Sequence, residues 1–543
     1  MNRIYISVCV ASLLCTSCFK DLGNYEYRQV EDFKIDNIES SYNVFSYVEN
    51  LKITPVVTPE TGDYEYEWFV TRYKQSSHGQ VEKYAETISR EKELDCPFNY
   101  PTGEYELHLK VTSRSSGDAE YVRMIVNAIT PYTNACFVLY EMSDGNSEMD
   151  IHYQDLPSEI KAVYDATEES LKGKPKFLGY MPRYAYLDEN SGEKVFNTLI
   201  IPASEQSIVT FNTTDMSVAR NGEQWFYDPY DAKQINCMLY HGFSGFIFAD
   251  TGVHTVYQDY QGEHGKPSTG KFSAVPDILD GVTSYEVSSE ICHLGDNIYF
   301  FDNVSRQFVV MDYNATPGFY DLLIPSSLPG VLGTPQPVDG DVIFIGGIIT
   351  TVATDPRAPK YLFIITEKDG QRKWYHVRSA YERLPEATPP YMYIVGTGEF
   401  TDDSPFSDAA FFTTSKSGAN YVYAAAKDGN FYYLDINDGY KVKPMTFTSQ
   451  PAGEVTYFQT MYELTEGTSA ETDYNCFVMA TYLEGQYSVA FYDMIGGLPI
   501  KGAGPSKCYK GEGKVKSIQV ASQTKKPGVL GHGNITTRYS LHY

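Results

Sequence analysis

Three short motifs in this 543-residue chain have spacings that could do chemistry. Gly265-Lys266-Pro267-Ser268-Thr269-Gly270-Lys271 has the spacing of a phosphate-cradling loop as far as its lysine. The next residue is Phe272, where a Ser or Thr should hold Mg²⁺. Pro276 follows closely, so no helix begins there to offer its N-terminus to a phosphate. The segment reads as a polar loop between strands. His241-Gly242-Phe243-Ser244-Gly245 has the outline of a nucleophile elbow, but it lacks the glycine two residues beyond the serine and leads into a strand pattern. Neither HExxH nor a His-x-His pair occurs. His241 and His254 flank one hairpin, too few ligands for a metal site.

Carboxylates are abundant, and Asp339-Gly340-Asp341 and Asp402-Asp403-Ser404 could approach Ca²⁺. The full calcium-loop pattern is absent, and they read as solvated turn acids. No catalytic residue, metal site or cofactor is expected. A glycosidase needs two carboxylates about 5–10 Å apart across a sugar, a spacing that sequence cannot show. An enzyme acting on extracellular polysaccharide is therefore the alternative to a binding protein. The aromatic runs point to ligand binding. Trp225-Phe226-Tyr227-Asp228-Pro229-Tyr230 places four rings in six residues beside an acid, outside clean alternation. Trp225, Tyr227, Asp228 and Tyr230 are the candidate ligand-binding residues, with neutral glycan or peptide as the ligand. Trp374-Tyr375-His376 is a second run, read as core.

The elements that would hold these residues are strands. The chain has 47 Tyr and 29 Phe against 3 Trp, a strand-favouring usage. It is 42% hydrophobic and 21% charged, a globular balance. The formal net charge of −27 argues against nucleic acid, whose phosphates need a Lys/Arg surplus on one face. The expected class is all-β, an N-terminal immunoglobulin-like β-sandwich followed by a seven-bladed β-propeller.

The sandwich is expected over 31–129. Tyr64–Val70 alternates aromatic and acidic residues around Trp68. In Gly103–Thr112, Tyr105, Leu107, Leu109 and Val111 share one face, while His108 falls on the polar face. The propeller is expected over 130–520, and 521–543 as a tail or closing strand. Hairpins recur with starts at 136, 196, 245, 297, 361, 421 and 476. Three carry Asp-Gly turns, at Asp144-Gly145, Asp369-Gly370 and Asp428-Gly429, and the seven lie about 57 residues apart on average, a blade-like period with long loops. A short helix is expected within Leu156–Leu171, capped by Ser158.

Residues 1–17 read as a secretory leader. Arg3 precedes the apolar run Ile4–Leu14, too short to remain a membrane-spanning helix. Thr16-Ser17-Cys18 has the small-small-Cys form of a lipobox, with Cys18 as the lipid attachment site and 18–30 as a lipidated tether. Two or more acyl chains anchor stably where one does not. The six later cysteines include no CxxC pair and read as buried thiols.

Cys18-Phe19-Lys20-Asp21-Leu22-Gly23-Asn24-Tyr25 resembles the start of the PKD-like family lipoproteins of Bacteroidota. Gly103–Val111, Tyr421–Asp435 and Tyr509–Val520 are further matching segments. The resemblance implies an acylated cysteine, a PKD/immunoglobulin-like domain and a large β-rich region. It implies residence in the outer membrane, facing the exterior, beside SusC/SusD-type nutrient importers. It supplies no catalytic residue that maps onto this chain.

Overall fold

The computed structural model describes residues 33–523 and 537–539, apart from 47–48, 76–80, 101–102, 130–134, 154–159, 188–193, 214, 242–243, 258–268, 295–296, 313–317, 329–332, 349–359, 381–390, 416–418 and 465–471. The leader, Cys18 and the tether lie outside these residues, as do Ser158 and most of the phosphate-loop motif.

Alternation builds the first domain. In Gly103–Ser113, Leu107, Leu109 and Val111 are buried, and the residues between them are partly exposed. This strand lies inside a five-stranded sheet with the order Ser41–Phe45, Ala119–Ile129, Gly103–Ser113, Tyr64–Gln75, Val81–Ser89. Ser41–Phe45 runs parallel to Ala119–Ile129. Facing it are two short ladders, Lys34–Asp36 with Val56–Thr58 and Asn50–Ile53 with Leu94–Pro97. Leu51, Ile53, Val57 and Leu94 from these ladders pack on Trp68, Val70, Leu107 and Leu109, and the core they form contains residues of this domain alone. His108 lies on the polar face as expected, with Nε2 3.9 Å from the Glu106 carboxylate, but it is only partly exposed. It stacks on Phe69 with centroids 5.0 Å apart, and burial lowers its pKa.

The remainder forms seven sheets packed face to face around a ring. Blade two comprises Pro175–Leu187, Lys194–Ser204, Val209–Asn212 and Val218–Asn221. Blade three comprises Ile235–His241, Ser244–Ala249 and Gly252–Tyr257, and blade four Val287–Leu294, Asn297–Asp302, Gln307–Asp312 and Gly318–Tyr320. Blade five comprises Asp341–Ile348, Lys360–Lys368, Gln371–Ala380 and Tyr391–Glu399, extended by Leu322–Pro325 and Gly333–Gln336. Blade six comprises Phe411–Thr414, Tyr421–Ala425, Phe431–Asp435 and Lys441–Met445, and blade seven Glu454–Leu464, Thr472–Leu483, Gln486–Ile495 and Lys507–Glu512. Blade one is composite. Ala135–Glu141, Ser147–Tyr153 and Ile160–Lys161 come from the start of the propeller, and the strand beside Ala135–Glu141 is Lys514–Gln523 from its end. The closing strand thus straddles the boundary expected at 520/521, and Thr537–Tyr539 pairs onto it.

Each seam between neighbouring blades has its own apolar cluster. Phe137, Met149 and Ile151 meet Leu178, Ile200 and Phe211 between blades one and two. Cys136, Val138 and Ile518 meet Tyr457, Val478 and Val489 between blades seven and one. The other five seams are filled in the same way. Neighbouring sheets bury one face each, so the ring is cored between blades, as the closed all-β architecture requires. First strands of adjacent blades touch at six of the seven junctions, all but that between blades three and four. Because strands alternate in direction, the turns between second and third strands all fall on one face of the ring. These turns are the sequence-visible ones, including Gly145, Gly252, Gly370, Gly429 and Gly485, all at positive φ.

The helix is Ala162–Thr167. Its first N–H groups are held by Glu148, whose carboxylate accepts from Val163 N at 2.9 Å and Tyr164 N at 3.2 Å. Among the described residues no helix is long and apolar enough to cross a membrane. The six described cysteines are thiols. Cys136 and Cys292 are buried, but Cys508 is exposed, against the expectation for this set.

Candidate functional site

The run Trp225–Tyr230 follows the last strand of blade two and divides in an in-out pattern. Phe272 fixes it: Phe272 N donates to Trp225 O at 2.7 Å, and Tyr227 N donates to Phe272 O at 3.0 Å. This bridge turns Trp225 and Phe226 inward and Tyr227 and Asp228 outward. Trp225 is therefore a correction to the sequence reading. It is 0% exposed, packs with Met181, Leu199, Met238 and Phe272 between blades two and three, and donates Nε1–H to Thr210 Oγ1 at 3.0 Å. A ring with no accessible face cannot stack on a ligand. Tyr230 is half-buried, stacked 4.1 Å from Phe226 and edge-on to His254. Tyr227 is 60% exposed, its hydroxyl against Thr269 Oγ1. The four candidates do not converge on one surface.

The same region accounts for the other motifs. Arg220 is buried under Tyr184, Tyr186 and Trp225, its guanidinium 4.9–5.6 Å from their rings. It donates to Thr269 O at 2.7 Å and Gly270 O at 3.2 Å. The end of the phosphate-loop motif thus turns carbonyls toward a cation, the opposite of an anion cradle. His254 is fully buried, with Nδ1–H donating to Ser273 O at 2.9 Å, and burial lowers its pKa. Among the described residues no group of three or more His, Cys, Asp or Glu is placed to hold a metal ion.

A hydrogen-bonded group that sequence reading missed sits at the seam between blades seven and one. Tyr487 Oη donates to Asp150 Oδ2 at 2.6 Å, and Tyr140 Oη donates to Asp150 Oδ1 at 3.0 Å. His152 Nε2 lies 2.7 Å from Tyr487 Oη. The phenol proton is committed to Asp150, so His152 donates from Nε2. Burial pushes His152 down to about 4, so it stays neutral. Burial beside Asp150 pushes the Tyr487 phenol far up, which removes it as a nucleophile. All four side chains are buried, and the arrangement fastens two blades. Gly511 completes it, since a Cβ there would sit 2.4 Å from Tyr487 Oη and 2.6 Å from Asp150 Oδ2.

Glu290, on the first strand of blade four, interacts with Lys516 on the first strand of blade one. Burial pushes the Glu290 carboxyl up to about 7, against the pull of Lys516 and Ser289. Its folded pKa exceeds the ordinary 4.5, so its contribution to stability is fullest below 4.5 and is lost as pH rises through 7. Glu290→Gln is expected to stabilise the protein by about 1–2 kcal/mol at pH 8, less than the full shift implies because water reaches this half-buried group. Tm against pH for both proteins is the check, and an unaltered pH profile in the variant would refute it.

The second aromatic run opens a cleft. Trp374 pairs across strands with Gly398, and His376 with Gly396. Without side chains on Gly396 and Gly398, rings from blades five and six close over bare backbone. A Cβ at Gly398 would meet the Trp374 indole at 2.8 Å, and one at Gly396 would meet Tyr440 Oη at 2.3 Å. Trp374 stacks on Phe363 and lies 4.4 Å from the Tyr440 ring. His376 Nδ1 is 3.1 Å from Tyr440 Oη, and burial pushes this histidine down to about 4. Trp374 is 8% exposed, largely core as expected. Its uncovered edge borders an open cleft of about 380 Å³ lined also by Tyr440, Thr397, Glu399, Thr401 and Ser404. That volume lies at the small end of the roughly 300–1,000 Å³ of ligand pockets. The sequence signal was Trp-x-His set against Gly-x-Gly, visible only once the strands are in register.

An immunoglobulin-like sandwich ahead of a β-rich ring is the architecture that the opening octet implied. Residues 18–175 match the PKD-like family. The PKD-like match runs past the sandwich through Ile160–Lys161 and the helix of blade one. No curated protein sequence matches the chain. Among solved structures, the chain is similar to a quinonprotein alcohol dehydrogenase-like protein of Bacteroides thetaiotaomicron. The two are 12% identical over 88% of this chain and 96% of that one, with a TM-score of 0.35. It is also similar to an auxiliary nutrient binding protein of the same organism, at 10% identity over 83% and 94% of the two chains and a TM-score of 0.26. Neither likeness is strong enough to transfer an activity or a ligand.

Proposed function

We propose that this chain is a lipid-anchored outer-membrane protein facing the cell exterior, whose propeller captures ligand as a non-enzymatic accessory to a SusC/SusD-type importer. The observation that carries the capture reading is the open cleft walled by Trp374 and Tyr440. It is open and partly aromatic, with Trp374, Phe400 and Tyr440 in its lining, suited to holding a ligand against rings. Recognition placed at the edge of a rigid scaffold is the usual arrangement. The anchor reading rests on Thr16-Ser17-Cys18 and on the polar stretch before the first described strand at Lys34. The polysaccharide-enzyme alternative calls for two facing carboxylates, whereas the charge that acts on Glu290, on a first strand, is that of Lys516.

Cys18→Ala is expected to move the protein from the membrane pellet to the soluble fraction with its melting curve unchanged. Retention in the pellet would defeat the anchor reading. Purified protein incubated with neutral glycans and peptides should bind without turnover, and turnover would favour the enzyme.

A further inference from the structure

We propose that the segment Val275–Glu286, at the junction of blades three and four, is a docking knob for another protein, one that brings apolar side chains flanked by Lys or Arg. The proposal is independent of ligand capture at the cleft.

The knob is rigid. Among the described residues blade three has three strands, and this segment is fastened to the outermost of them, Gly252–Tyr257, where a fourth would pair. Asp277 N donates to Val253 O at 2.7 Å. Val253 N donates to Tyr285 Oη at 2.9 Å, and Tyr285 Oη donates to Asp277 O at 2.9 Å. Leu279 and Val282 exchange both backbone hydrogen bonds, at 2.8 and 3.1 Å. Between them Asp280 and Gly281 both take positive φ, the tight turn that Asp-Gly favours. Leu279 and Tyr285 are buried in the apolar cluster between blades three and four. The tip therefore keeps one shape without help from a partner.

It is also apolar on the outside. Val275 is 73% exposed, Ile278 64% and Val282 38%. The adjoining turn of blade four adds Val304, at 60%. That residue follows Asn303, whose N donates to Glu286 O at 2.9 Å, so the turn is tied to the end of the knob. Aliphatic side chains exposed singly need no explanation, but several of them on one pinned tip mark a contact surface.

The charge beside the patch selects the partner. Asp280 and Glu286 are exposed, and neither forms an ion pair among the described residues. Asp277 differs, because its carboxylate is spent on Thr255. A second copy would set the two free carboxylates against another chain of net charge −27, and an anionic lipid surface would be repelled in the same way. A partner whose apolar side chains are flanked by cations answers both features, since charge complementarity around a contact steers encounter and suppresses wrong partners.

The test is calorimetric titration of the purified chain with two synthetic amphipathic peptides, one of leucine and lysine and one with glutamate at every lysine position. The expected result is saturable binding of the leucine–lysine peptide alone. Val275→Ser combined with Ile278→Ser should weaken it at least tenfold, as loss of central apolar contacts does. Asp280→Asn combined with Glu286→Gln should weaken it and flatten its salt dependence. All four side chains are exposed, so both double variants should melt as the wild type does. Tyr227→Ala, an exposed ring elsewhere, should leave binding unchanged. Leucine–lysine binding that both double variants retain would overturn the proposal, as attraction to the acidic surface at large. Preference for the glutamate peptide, or no binding of either, would overturn it too. Dimerisation in sedimentation that Ile278→Ser abolishes would replace the partner with a second copy.

Discussion

A chain ended at Gly513 is expected to lose the cooperative unfolding transition of the propeller while keeping that of the sandwich. The missing strand, Lys514–Gln523, is the one beside Ala135–Glu141 in blade one, paired through six registered positions. Val515 and Ile518 are buried between blades seven and one with Val138, Tyr140 and Val489. Tyr457 Oη donates to Ile518 O at 3.4 Å, and Lys514 Nζ to Glu454 Oε2 at 3.0 Å. Two buried aliphatic side chains at about 2 kcal/mol each and a short ladder at about 1 kcal/mol per bond come to the order of 10 kcal/mol. That rivals the whole stability of a typical domain, roughly 5–15 kcal/mol. The cut also leaves Ala135–Glu141 as an apolar edge, an aggregation hazard. Calorimetry of the truncated chain should show the sandwich transition alone. A propeller transition at the wild-type temperature would show that closure does not depend on this strand.

Trp68→Ala should remove the other transition. Trp68 is 0% exposed, sits among Leu107, Leu109, Val70 and Leu51, and holds Glu91 O through its indole N–H. Truncating a buried aromatic of this size costs about 3–5 kcal/mol, and here an orphaned carbonyl is added. The isolated sandwich, which has its own core, should melt far lower or not fold. The propeller, with none of its clusters drawing on Trp68, should melt as before. A sandwich transition unmoved by the substitution would contradict the packing described.

The architecture was legible wherever a local signal marked it. Each of the seven hairpin starts falls in the second strand of a different blade, or within two residues of it, because the turn that follows needs left-handed backbone and the sequence supplies it at Gly145, Gly370, Gly429 and Gly485. The hairpin near Phe196 was untidy for a physical reason. Its turn is held by Ser204 and Ser207, with Ser207 N donating to Ser204 Oγ at 3.1 Å and no glycine involved. First strands carry no such mark, so the start at Cys136 could not show that its neighbour is Ser517–Val520, from the far end of the chain. The aromatic run at Trp225 misled for the same reason. Its in-out pattern comes from pairing with Phe272, beyond intervening strands. The cleft needed more still, since Trp374 meets Gly398 only when the bulge at Val395 is counted.

Composite blade one has a mechanical consequence. The first propeller strand follows from the sandwich, with Ala135 close after Ile129, so tension applied through the sandwich, as the proposed anchor would apply it, enters the ring at Ala135. That strand is flanked on one side by Ser147–Tyr153 and on the other by Lys514–Gln523. A pull along it loads both ladders in shear, with many hydrogen bonds sharing the force at once. The seam that joins the two ends of the ring is thus also the mount by which the ring is carried on the sandwich, and Asp150 with its two tyrosines fastens that mount to blade seven.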